Sequence, residues 1–311
     1  MFLLRPMKRL FFFVCAGLLV GCEGRIVSTP KAARTPLSFT SEQASNALAN
    51  VAALIENCTP RDGGTPESEH AAAWLNDRLK AHGIRSVVDR FTDVTPVGPR
   101  TFANVLATIP GDDDQWIVLL SHFDTKSGIG KEFQGANDGG SSTGLLLELA
   151  ALIQKAGPRK HSVLCAFLDG EECRLAYSDR DGFHGSKRLA KTMKEQQKKI
   201  AAVILMDMIG DRDLKITIPS NSTPKLRVLA LVVAEALKER TKIGLCDGEI
   251  YDDHYPFLKL GYPAVDLIDF YYGSRPGLNE YWHTPQDTLD KLSADSLLST
   301  GRIVLEMVNR L

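Results

Sequence analysis

Four short, nearly continuous apolar runs punctuate this chain: Trp116–His122, Ser162–Leu168, Ala202–Met206 and Ala264–Ile268. A strand with one face in water alternates apolar and polar residues, so runs like these predict strands buried on both faces, as in a parallel sheet covered by helices. The segments between them agree. Helical spacing is found at 41–57, 67–81, 145–155, 185–199, 226–239 and 293–311. Two further strand-like segments, 86–91 and 102–109, precede the first apolar run. Strands alternating with helices in this way predict an α/β fold, a three-layer αβα sandwich around a mixed, largely parallel central sheet. No linker-like stretch interrupts residues 39–311, which read as one domain.

In such sheets ligands collect beyond the carboxyl ends of the strands, and the polar residues of this chain fall there. Strand 116–122 ends in His122-Phe123-Asp124, strand 162–168 runs into Asp169-Gly170-Glu171-Glu172, and strand 202–206 is followed by Asp207. Gly135-Ala136-Asn137-Asp138-Gly139-Gly140 sets Asp138 just ahead of a helix, and the loop after the last strand ends in Trp282-His283-Thr284. Each residue has a duller use: Asp138 as a helix N-cap, His122 as a strand end, the paired glutamates as a solvated turn, His283 as a surface histidine. Two imidazoles and three carboxylates at one rim are nevertheless the donor set that suits zinc. Of two adjacent carboxylates on a turn, one can face an ion while its neighbour faces substrate and moves protons.

The net charge of −1 and the lack of a basic stripe exclude a nucleic-acid binder. Lys8 and Arg9 precede the apolar run Leu10–Val20, which is too short to span a bilayer and reads as a secretory signal over residues 1–21, with Met7 as the expected start. Leu19-Val20-Gly21-Cys22 looks like a bacterial lipobox, which predicts a lipidated Cys22, followed by a tether at 22–38 that carries two prolines. Cleavage would remove Arg5, Lys8 and Arg9 and take the charge from −1 to −4. The expected location is the bacterial cell envelope, lipid-anchored, with the domain in the periplasm or outside. Glu23 in place of an aspartate tilts this toward the outer membrane. The four cysteines beyond Cys22 show neither a disulfide framework nor a CxxC pattern.

In their order the rim residues resemble the zinc aminopeptidase clan, and more closely its glutaminyl-peptide cyclotransferase (glutaminyl cyclase) branch. The likeness runs over residues 55–311. It also rests on RDGGTP (61–66), DRF (89–91), TPVGPRTFAN (95–104), SHFDTK (121–126), DGEE (169–172), DDHYPF (252–257) and WHT (282–284). Twelve residues, Cys173–His184, separate the glutamates from Gly185-Ser186, a length similar to the cyclases, whereas aminopeptidases close that gap within a few residues. Trp282 directly before His283 points the same way.

That resemblance implies one Zn²⁺ held by Asp138, Glu172 and His283, which would polarise the γ-carbonyl of an N-terminal glutamine. It implies Glu171 as general acid/base, with Asp207 and Asp252 completing a proton-steering network. Trp282, Tyr177 and Ile250 would line the glutamine pocket. His122, Asp124 and Asp266 are the candidates for a second metal or for supporting the ligands. The implied reaction closes N-terminal glutamine of peptides or proteins to pyroglutamate and releases ammonia, in a monomer. Three departures are visible: Tyr177 stands where several cyclases have Trp, Asp266 where some have His, and Ser121 with Thr143 where some secreted members have a cysteine pair. That disulfide is therefore expected to be absent. Two competing readings remain: a di-zinc aminopeptidase, with His122 and Asp207 in a second metal site and Glu171 activating water, and a non-catalytic binding lipoprotein.

Overall fold

The computed structural model describes residues 35–311. The expected signal at 1–21, the lipidated Cys22 and most of the tether lie outside them.

Two capped helices open the domain. In α1 (Ser41–Cys58) Thr40 and Gln43 form a capping box, and in α2 (Pro66–Ala81) Thr65 and Ser68 do the same with Pro66 in the first turn. A long antiparallel hairpin follows, β1 (Arg85–Thr95) and β2 (Gly98–Ile109), and the burial of β1 largely alternates, as expected of an edge strand. Next come β3 (Gln115–His122), α3 (Ser142–Ala156), β4 (Ser162–Leu168), α4 (His184–Glu195) and β5 (Lys199–Asp207). The chain closes with β6 (Ile216–Ile218), α5 (Pro224–Ala236), β7 (Ile243–Leu245), α6 (Tyr255–Lys259), β8 (Ala264–Ile268) and α7 (Ala294–Arg310).

The eight strands form one sheet in the order β1-β2-β4-β3-β5-β8-β6-β7. β4, β3, β5 and β8 run parallel at its centre, while the β1–β2, β2–β4 and β6–β8 pairings are antiparallel. The four central strands are the four apolar runs of the sequence. Their residues alternate between two cores. Ile117, Leu119, Cys165, Phe167, Ile204 and Val265 pack with α1, α2, α3, α5 and α7. Val118, Leu120, Leu164, Ala166, Val203 and Leu205 pack on the other face with Leu189, Ala190 and Met193 of α4 and Phe257 of α6. A strand buried on both faces gains from apolar side chains at every position, so three αβα layers follow from those runs.

The differences from the sequence reading are local. β6, β7 and α6 are too short to show a period. The helix expected at 185–199 ends at Glu195, and Lys199 already begins β5. His184, one residue ahead of the helix expected from 185, opens α4 and places its Nδ1 2.8 Å from Asp93 Oδ2. Residues 35–38 carry no helix or strand, and Leu37 exchanges two hydrogen bonds with the Asn309 side chain of α7. No disulfide joins the four cysteines of the described residues, Cys58, Cys165, Cys173 and Cys246. No described helix is long and apolar enough to cross a membrane.

Candidate active site

β3, β4, β5 and β8 all end on the same rim, and the loops that leave them converge there. His122 closes β3 and is fully buried. Asp138 follows in a kinked segment, 136–141, whose backbone leaves helical geometry at Asp138 (ψ 101°) and Gly139 before it leads into α3. Gly139 at φ 77° allows the turn: a Cβ there would lie 2.9 Å from His122 Cε1. Beneath it, the fully buried Arg61 donates to the carbonyls of Phe123, Gln134 and Gly135 at 2.5–2.7 Å and so ties this loop to the end of β3.

Five of the expected residues meet as two clusters that share one carboxylate. His283 Nε2 lies 3.0 Å from Glu172 Oε1 and 3.3 Å from Asp138 Oδ2. His122 Nε2 lies 3.2 Å from Asp138 Oδ1 and 3.2 Å from Asp207 Oδ1. In each cluster one imidazole nitrogen and two carboxylate oxygens lie within 4.8 Å of one another, the separation a bound cation needs. Asp124 and Asp266, candidates for a second metal or for supporting the ligands, lie outside both clusters, and Asp124 Oδ1 stands 3.6 Å from His122 Nδ1. Asp124 instead accepts the backbone N–H groups of Glu171 and Glu172, at 3.2 Å each, and so fixes the turn that carries them. Asp266, on β8, is fully buried with its Oδ2 3.9 Å from His254 Nδ1.

A cavity of about 350 Å³ opens onto Asp138, Glu172 and His283. Glu171, Asp207, Asp252, Tyr177, Ile250 and Trp282 line it. Trp282 stacks on His283 with ring centres 3.9 Å apart and meets Phe270 edge-on at 5.6 Å. Tyr177 does more than line the wall: its hydroxyl lies 3.3 Å from both Glu171 Oε2 and Glu172 Oε2. The proton network expected of Asp207 and Asp252 is present only in part. Asp207 pairs with His122, whereas Asp252 Oδ1 accepts the Asp253 N–H and its Oδ2 has no partner among the described residues.

The stretch Cys173–His184 is a folded loop around Asp181. The Asp181 carboxylate accepts the N–H groups of Arg174, Leu175 and Ala176 at 2.7–3.1 Å. Lys187 of α4 donates to the carbonyls of Ser178, Asp179 and Gly182, and the Tyr177 ring stacks on Phe183 at 4.8 Å. Tyr177 is thus delivered to the glutamates by a preformed scaffold.

Most of the crowded, buried carboxylates here resist ionisation; at Asp138 burial is outweighed by His122 and His283, which hold it below the usual range. Burial pushes Glu171 well above the usual carboxylate range, and the adjacent Glu172 adds to it. Burial likewise lifts Glu172 to about 7 against the pull of His283, and lifts Asp207 and Asp252. His283 moves the other way: burial opposes its charge, but Asp138 and Glu172 hold the imidazolium and raise it to about 9. Excess negative potential around one imidazole is the condition in which a divalent cation displaces a proton.

Asp287 was not anticipated from the sequence. Its carboxylate accepts the N–H groups of Asn137 at 2.7 Å and Asp138 at 3.1 Å and takes the Tyr272 hydroxyl at 2.7 Å. Lys126 was quoted only as part of a motif, yet its ammonium lies 3.6 Å from Glu172 Oε2. Both contact backbone or ligands far away in sequence, which local spacing does not reveal.

The sequence profile of peptidase family M28 matches residues 104–308. The glutaminyl-peptide cyclotransferase of Drosophila melanogaster is 26% identical across 94% of this chain and 89% of its own length. The crystal structure of an Acidobacteriales bacterium glutaminyl cyclase superposes with a TM-score of 0.82 at 35% identity, covering 90% of this chain and 97% of that one. The Porphyromonas gingivalis glutaminyl cyclase superposes with a TM-score of 0.78 at 26% identity, covering 88% and 98%. The chain belongs to peptidase family M28, and within it resembles the glutaminyl cyclases.

Proposed function

We propose that this protein cyclises the N-terminal glutamine of peptides or proteins to pyroglutamate and releases ammonia. One observation carries the reading: Glu171 faces the same cavity as the Asp138–Glu172–His283 cluster, in a chain 35% identical over 90% of its length to a glutaminyl cyclase.

The substrate contains its own nucleophile. The α-amine nitrogen attacks the γ-amide carbon, a C–N bond closes the five-membered ring, and the bond to the amide nitrogen breaks. A single Zn²⁺ held by Asp138, Glu172 and His283 would supply Lewis-acid polarisation of the γ-carbonyl. Glu171 takes the proton that the amine loses and returns it to the departing nitrogen. Tyr177, through its hydroxyl, holds Glu171 and Glu172 in fixed relation. Trp282, stacked on His283, and Ile250 give the side chain an apolar wall that excludes water. Asp207 keeps His122 oriented beneath Asp138.

A specific observation favours a second reading. The His122–Asp138–Asp207 cluster also fits a cation, as a di-zinc aminopeptidase needs. Incubation with Gln-peptides and Leu-peptides separates the two, since cyclisation releases ammonia and aminopeptidase action frees leucine. Zinc analysis should give one tightly bound ion per chain; two ions together with freed leucine would overturn the cyclase reading. From the lipobox-like Leu19-Val20-Gly21-Cys22 we propose that the chain is held at the cell envelope through a lipidated Cys22. Labelling with a fatty-acid analogue in wild type and Cys22→Ala cells tests that assignment.

A further inference from the structure

A second depression of about 560 Å³ adjoins the catalytic cavity, and the two share Tyr177 and Tyr251 as walls. It runs between α4, which contributes Lys187, Ala190 and Lys191 from one face, and α6, which contributes Tyr255 and Lys259 one turn apart. Its walls are aromatic. Tyr177 stacks on Phe183, and Tyr251 meets Tyr255 edge-on with ring centres 4.7 Å apart. Tyr177 is 42% and Tyr251 54% exposed, so large ring surfaces stand open at the junction of the two depressions.

The rim is cationic. Lys259 places its ammonium 5.5 Å from the Tyr255 ring centre and has no carboxylate partner among the described residues. Lys191 has only Glu195 of its own helix, at 3.9 Å and fully in solvent reach. Lys187 is different, because its ammonium is committed to three loop carbonyls. The one carboxylate among the lining residues is Asp179.

Glutamine held with its side chain in the catalytic cavity has one way to continue as a chain, through its own carbonyl, and the aromatic groove borders that cavity across Tyr177 and Tyr251. We propose that this groove binds the residues that follow the N-terminal glutamine, and that it selects peptides with a large apolar or aromatic side chain and an acidic side chain there. The proposal rests on the cyclase reading of the cavity. Ring closure leaves the downstream residues unchanged, so contacts in the groove hold ground state and transition state alike. They act on KM and leave kcat nearly constant.

The test is steady-state cyclisation of glutamine amide, Gln-Gly-Gly-amide, Gln-Phe-Glu-amide and Gln-Phe-Lys-amide, at low and high salt. The expected result is a KM for Gln-Phe-Glu-amide about five-fold below that for Gln-Phe-Lys-amide and about ten-fold below that for Gln-Gly-Gly-amide. The charge preference should shrink with salt. The double variant K191E/K259E should reverse it and leave turnover of glutamine amide unchanged. Equal KM values for the three longer substrates, with glutamine amide still cyclised, would overturn the groove assignment alone. So would a Glu preference that survives in K191E/K259E. Failure to cyclise even glutamine amide would overturn the cyclase reading and this proposal with it. A wild-type dimer in sedimentation that K191E/K259E dissociates would put a second copy of the chain in the groove instead.

Discussion

Glu171 and Glu172 differ in surroundings more than in chemistry. Glu172 is drawn to His283, while among the described residues the Glu171 carboxylate reaches only the Tyr177 hydroxyl. Glu171→Gln keeps the shape and removes the proton carrier, so kcat should fall by about 10³-fold with zinc content unchanged by metal analysis. Tyr177→Phe removes one donor shared by two carboxylates, and kcat/KM should fall by about ten-fold. Full activity in Glu171→Gln would remove the proton-carrier role. At this scale the site was legible where chemistry and strand ends coincide. Asp138, Glu172 and His283 each stand next to a tell-tale neighbour: a Gly-Gly pair, a second glutamate, a tryptophan. Arg61, Asp124 and Asp287 act through backbone amides and carbonyls, and nothing in local spacing marks a side chain whose partner is a distant peptide group.

Among the elements, the central strands were readable because burial on both faces leaves no polar position to confuse the pattern. β6 and β7, with three residues each, and α6, with five, offer less than two periods of their repeats, too few to establish a pattern. Tight helix packing was equally invisible. Gly144 lets α3 lie against α1, and a Cβ there would fall 2.5 Å from Val51 Cγ2 and 2.6 Å from the Ala47 carbonyl oxygen. Because one obstacle is backbone, Gly144→Ala must push the helices apart. It should cost about 1–3 kcal/mol, seen as a drop of about 3–8 °C in the melting temperature. An unchanged melting temperature would show that α1 yields freely.

The molecule as a whole should respond to metal and to acid. A cation that binds only the folded cluster adds stability by mass action, so chelation should lower the melting temperature and zinc should restore it. His254 supplies a separate acid response. It is fully buried, neither ring nitrogen has a hydrogen-bond partner among the described residues, and burial lowers it to about 3. Asp266 Oδ2 lies 3.9 Å from its Nδ1, and burial raises Asp266 as it raises Asp252 and Asp253. Unfolding returns His254 to its ordinary value of 6.5, so between 6.5 and 3 the unfolded chain binds the extra proton at this residue and the His254 contribution to stability falls as pH falls, opposite in sign to that of the raised carboxylates. The loss is roughly 1 kcal/mol per pH unit below 6, and His254→Gln should flatten the melting temperature between pH 6.5 and 5 relative to wild type. Asp287 joins these scales. It lies four residues past His283 in sequence and anchors the amides of Asn137 and Asp138, so two segments 150 residues apart hang on one carboxylate. In hydrogen exchange the 137–138 amides should therefore open together with the 283–287 segment as one cooperative unit. Asp287→Ala should strip their protection at once and weaken zinc by about 10–100-fold, which makes the exchange rate of two backbone protons a gauge of how firmly the ion is held.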